Sequence, residues 1–207
     1  MSTGADTTDA PRTGRRVKYT LILASLLLAA VVLLAWTQSW LTVELTAGAP
    51  TTSVSVDGNI AAPALAALAL AGLALTAALS IAGLLFRIIL GVLDAVLGAC
   101  IAFSAILVLT GPVAASEPAV TAATGIAGST SIAAIVSATS LTFWPFLTAA
   151  AGILLVVVGA GITLTARRWP SSSRKYSAVR LEPADSGAMP DAVDSWDDLT
   201  RGDDPTR

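Results

Sequence analysis

The chain has 207 residues, of which 55% are hydrophobic and only 13% charged, with a mean hydropathy of +0.77. A composition so apolar and so sparsely charged excludes an ordinary soluble domain and indicates a membrane protein. A net charge of −2 with no clustered basic face excludes nucleic acid as a partner, the absence of histidine removes the commonest general base and metal ligand, and a single cysteine, Cys100, precludes an intramolecular disulfide.

Charge is distributed very unevenly. The twelve Lys and Arg residues fall within residues 12–18, at Arg87, and within residues 167–207, while residues 19–86 and 88–166 hold only the acids Glu44, Asp57, Asp94 and Glu117. Short loops retained in the cytoplasm keep Lys and Arg, so this pattern predicts both termini and the Arg87 region inside, and the other connections outside.

Residues 1–18 begin with a Ser/Thr/Gly/Asp/Pro-rich stretch that cannot bury apolar area, and are expected to be a disordered, basic cytoplasmic N-terminus. Residues 19–41 follow as helix one, an apolar run that would span roughly 33 Å and match the bilayer core. A secretory signal peptide is the rival reading, with Arg15, Arg16 and Lys18 as its basic region. The apolar run of residues 21–36 is longer than such peptides use, and it exits through Trp36 and Trp40 rather than a small-residue cleavage site, so retention is expected.

Residues 42–60 contain two alternating runs, Thr42-Val43-Glu44-Leu45 and Ser53-Val54-Ser55-Val56, separated by Gly48 and Pro50. This is a hairpin pattern, and a lone two-stranded ribbon needs support, here expected from the other external loop. The apolar stretch of residues 60–109 would be roughly 75 Å long as one helix, more than twice the membrane thickness, so it must fold back. Placing Arg87 at the headgroups predicts helix two over 61–85, a cytoplasmic turn at 86–87 and helix three over 88–110. Residues 111–142 open with Gly111-Pro112, are small and hydroxylated, and read as a partly ordered external cap. Helix four is expected over 143–166, framed by Trp144-Pro145 and by Arg167-Arg168-Trp169-Pro170.

The fold class expected is therefore an all-α membrane protein: a four-helix transmembrane bundle with both termini cytoplasmic and a small extracytoplasmic cap containing a β-hairpin. Residues 167–207 form its cytoplasmic tail. From 171 onward the tail carries five basic against eight acidic residues and three prolines, and reads as disordered.

Asp94 is the one ionisable residue placed inside a span, and an unpaired charge there costs several kcal/mol, so such residues are functional candidates by default. Arg87 lies seven residues earlier, about two turns, on the same helix face, and Asp94 reads as lying near the cytoplasmic end. An intramembrane ion pair of Arg87 with Asp94, or snorkelling to the headgroups, is the favoured reading; a proton or substrate site is the rival. Small residues form stripes at Gly72, Thr76 and Ser80, at Gly91, Ala95 and Gly98, and at Gly152 and Gly159. They read as packing seams, with a ligand groove or a homodimer face as alternatives. Trp36, Trp40, Trp144 and Trp169 fall at span edges, where indole rings anchor to the interface. Trp196 has no such explanation: with Leu199 at i+3 in a polar, acidic stretch, it suits a short amphipathic turn that folds on a partner. The candidate docking element comprises Trp196, Asp197, Leu199, Arg201, Asp203, Asp204 and Pro205. No phosphate loop, Ser/His pair or metal-ligand spacing is found, so no catalytic, cofactor or metal site is expected and the protein is read as non-enzymatic.

At these residues the chain resembles the actinobacterial tryptophan biosynthesis-associated transmembrane protein family, small four-span proteins encoded near tryptophan-biosynthesis genes. The resemblance is carried by the basic start and the Trp36…Trp40 exit of helix one, by Phe143-Trp144-Pro145, and by Arg168-Trp169-Pro170-Ser171-Ser172-Ser173-Arg174-Lys175-Tyr176. Its most specific element is Trp196-Asp197-Asp198-Leu199 followed by Arg201-Gly202-Asp203-Asp204-Pro205-Thr206. Where the family often has Pro-Trp-Trp-Thr-Val after helix one, this chain has Ser39-Trp40-Leu41-Thr42-Val43. The resemblance implies a multi-pass protein of the bacterial inner membrane tied to tryptophan biosynthesis. The expected partners are the bilayer and a cytosolic protein held by the tail; a small transporter for tryptophan, indole or a related aromatic is the alternative.

Overall fold

The computed structural model describes residues 10–46 and 51–169. Among the described residues, four helices are long and apolar enough to cross a membrane: α1 (Ala10–Trp36, apolar from Arg16), α3 (Ala64–Ile81), α4 (Leu84–Thr110) and α7 (Trp144–Thr165). Each turns large aliphatic or aromatic side chains outward, such as Leu27, Leu70, Phe103 and Val157, which a lipid solvent allows.

The boundaries differ from expectation in ways that have local causes. Helix α1 already runs from Ala10, through part of the stretch expected to be disordered, and ends at Trp36 rather than at residue 41. Trp40 therefore falls in strand β1 (Ser39–Leu45), where it is fully buried and its indole N–H donates to the Ala35 carbonyl at 2.7 Å, instead of anchoring to the interface. The expected start of helix two is split: a single turn, α2 (Gly58–Ala61), precedes Pro63, which lacks an N–H and sets the entry to α3. The membrane reversal lies at Ala82-Gly83, not at 86–87, with Gly83 capping the start of α4 in extended conformation. Arg87 thus sits inside the first turns of α4 and is buried. Its charge marked where its head group belongs, whereas the backbone turns several residues earlier.

The cap is more built than a hairpin. Strands β1 and β2 (Ser53–Asp57) pair antiparallel with Leu41 opposite Val56 and Val43 opposite Val54. The second loop supplies helices α5 (Pro112–Thr124) and α6 (Ser129–Ile135) and then β3 (Val136–Leu141), which pairs with the other edge of β1, Leu41 opposite Leu141. The sheet order is β2-β1-β3. One face carries Leu41, Val43 and Val56 into a core shared with Leu65, Val120 and Ile132; the other carries the row Ser55, Thr42, Ser140. Alternation of period two explains the division. Helices α5 and α6 are bent by 80° and together have the length and apolarity of a further span. The chain enters this pair from the end of α4 and leaves it into a strand paired with β1, which follows α1. Both ends therefore lie at the cap, and the pair is not a crossing.

Helices α4 and α7 form the tightest seam. They run antiparallel with Gly91 against Gly159 and Gly98 against Gly152, and a Cβ on Gly98 would come within 2.7 Å of the Gly152 carbonyl oxygen. On Gly152 it would meet the Ala102 nitrogen at 2.5 Å, and on Gly159 the Ala95 nitrogen at 2.5 Å. Backbone lies on backbone from Gly91 to Ala102 of α4, the close approach that small residues permit where lipid removes the hydrophobic drive between helices.

Candidate functional site

The buried positions of α4 are Arg87, Gly91, Asp94, Gly98, Ile101, Ala102, Ala105 and Val108, which apart from the adjacent Ile101 and Ala102 recur every three or four residues and define one face. Arg87 and Asp94 share that face, as their spacing requires. Their observed partners, however, are different groups.

Asp94 is fully buried and lies ten residues into α4, roughly 15 Å from its start, which is deeper than the position near the membrane edge expected for it. Ser25 of α1, also fully buried, donates its hydroxyl to the carboxylate, with Oγ 3.0 Å from Oδ1 and 3.1 Å from Oδ2. Thr76 of α3 stands beside them, its Oγ1 2.8 Å from the Gly72 carbonyl oxygen and 3.3 Å from Ser25 Oγ. Three helices thus contribute one polar side chain each to a single layer. An aspartate side chain is short and can meet only what lies at its own level, which is Ser25.

Arg87 reaches the other way. Its Nε donates to the Ala82 carbonyl at 2.9 Å, and its guanidinium lies 5.4 Å from the centroid of the Trp169 ring, at cation–π distance. Trp169 is itself buried and its indole N–H donates to Thr165 Oγ1 at 3.1 Å, so it ties the turn after α7 to the reversal between α3 and α4 rather than anchoring to the interface. Lys18 of α1 donates to the Ser80 carbonyl at 3.1 Å. The last carbonyls of α3 are therefore met by two cations from neighbouring helices, where the helix dipole favours positive charge.

Nothing local in the sequence ties Ser25 and Thr76 to Asp94, although Ser25 is the one polar residue of the apolar run 21–36. The candidate docking residues Trp196, Asp197, Leu199, Arg201, Asp203, Asp204 and Pro205 lie outside the described residues. At the cap end, an open groove of about 530 Å³ runs between the α2–α3 connection and the end of α4, lined by Pro63, Ala64, Ser104, Leu107 and Thr110.

A family model described as tryptophan-associated transmembrane protein matches residues 22–206, nearly the whole chain. The chain belongs to this family. It is accordingly a multi-pass, tryptophan-associated membrane protein, and its four apolar helices account for the transmembrane part of that description. The match takes in the Trp36…Trp40 exit, the Phe143-Trp144-Pro145 entry and the terminal Trp196 element alike. Comparison with curated proteins and with solved structures gives no match.

Proposed function

We propose that the protein is a non-enzymatic accessory of tryptophan biosynthesis in the bacterial inner membrane, with both termini cytoplasmic and a tail that docks a cytosolic protein. One observation carries this reading: the family match does not stop with the last span but continues through residue 206. The matched tail holds Trp196-Asp197-Asp198-Leu199, and an aromatic beside a leucine at i+3 is the kind of anchor that folds into a partner's groove. The basic residues before the first span, at Arg87 and after the last span, with none in the connections at the opposite end of the bundle, support the orientation.

The test is photocrosslinking in living cells from a reactive amino acid at position 196 of the full chain, with Trp196→Ala tails compared in pull-downs. A discrete adduct, and loss of the same protein with Trp196→Ala, are expected. Identical recovery by both tails removes the docking role.

A second reading, a carrier or carrier subunit for tryptophan, indole or a related aromatic, draws on the groove at the cap end, whose volume is in the range of small-ligand sites. It predicts altered aromatic efflux in cells lacking or overproducing the protein, and is untenable if both match the control.

A further inference from the structure

The apolar core of the bundle is interrupted. Val32, Leu65, Ile101 and Leu155 belong to a cluster continuous with the cap, whereas Leu75, Leu79, Ile162 and Trp169 form a separate one at the end that carries Arg87. Ser25 and Asp94 fall between the two along their helices, with Thr76 at the border of the second.

This layer is rich in oxygen and poor in hydrogen. Asp94 offers two oxygens with about four acceptor positions. Ser25 has one hydroxyl hydrogen, shared between both carboxylate oxygens at 3.0 and 3.1 Å, and the shorter contact of Thr76, 2.8 Å, is to the Gly72 carbonyl. Two carboxylate oxygens and two hydroxyl oxygens thus cluster on three helices with the side chains almost wholly buried. A self-sufficient buried network supplies a donor for each acceptor. An excess of hard oxygen is instead what surrounds a small cation.

Charge sets the valence. A net charge is expensive within hydrocarbon, so one carboxylate calls for one positive charge, and a divalent ion would leave an excess. The guanidinium of Arg87 is directed to Ala82 and Trp169 at the end of the bundle, about 10 Å along the helix from Asp94. On the other elements packed here, Lys18 of α1 lies seven residues toward that same end and donates to Ser80, α3 and α7 carry no ionisable residue, and Arg167 follows α7. We propose that Asp94, Ser25 and Thr76 form an occluded site for one monovalent cation, a sodium ion or a proton, in the middle of the bundle. The site is independent of the tail and of what the tail binds.

The experiment uses the full chain in lipid nanodiscs and follows its thermal midpoint. In one series sodium chloride replaces choline chloride at constant ionic strength; in the other, pH is varied without sodium. A ligand that binds only the folded state raises the midpoint with its concentration. The wild type should respond in at least one series more than Asp94→Asn does; Ser25→Ala and Thr76→Ala should need a higher sodium concentration for the same rise, and Ser25→Ala, which removes the donor to the carboxylate, should displace the pH response. A sodium response identifies sodium; a pH response, absent in Asp94→Asn, identifies a proton. Wild type and Asp94→Asn behaving alike in both series overturns the site. If Asp94→Asn does not accumulate, Ser25→Ala decides, and an unchanged response in both series overturns it equally.

Discussion

Helices α4 and α7 meet backbone to backbone, whereas α1 and α3 meet through side chains. On the first pair, a Cβ added to Gly98, Gly152 or Gly159 would run into main-chain atoms at 2.5–2.7 Å. On the second, a Cβ added to Gly72 would touch only the Ala29 methyl at 3.4 Å. The contrast teaches that a stripe of small residues has no single meaning. One stripe permits contact that nothing larger could replace; the other lies at the side of the bundle where Ser25 of α1 donates to Asp94 and Thr76 of α3 to Ser25.

The largest effect should come from filling the tight seam. Gly152→Val is expected to cost more than about 3 kcal/mol, because the neighbouring atoms belong to helix backbone and cannot turn aside. Thermal or denaturant unfolding in detergent would measure it, and wild-type stability would break the contrast. Gly58→Ala extends the same reasoning to the cap: its Cβ would lie 2.6 Å from Trp40 Nε1 and 2.8 Å from the Trp36 carbonyl oxygen. A loss of about 1–3 kcal/mol is expected, seen as earlier proteolysis of the cap and a changed tryptophan emission. Trp40→Phe removes the hydrogen bond to Ala35 and part of the buried ring volume together, for about 1–3 kcal/mol in the same unfolding measurement. Gly72→Ala should shift stability by less than about 1 kcal/mol, since gained helix propensity offsets the contact with Ala29. A large loss there would show that the two pairs are packed alike.

The spans were legible because apolar length and the placement of charge are properties of a chain read in one dimension. Residues 42–60 likewise displayed their strand alternation, and the need for support from the other loop followed from the weakness of a lone hairpin. The source of that support was hidden, because Val136-Ser137-Ala138-Thr139-Ser140-Leu141 is short and weakly alternating and becomes a strand by pairing with β1. Trp40 and Trp169 were misleading for a related reason: an indole at a span edge suits an interface and a buried joint equally, and the neighbours decide.

By itself, then, the sequence determined four apolar crossings, their return to the end where they began, and the family to which the chain belongs. Tertiary structure decided which group faces Asp94, which glycines admit no side chain, and how two loops became one sheet. The physical reason is separation along the chain. Ser25 is 69 residues from Asp94 and 51 from Thr76, and no local pattern records an encounter that exists only once the helices have packed.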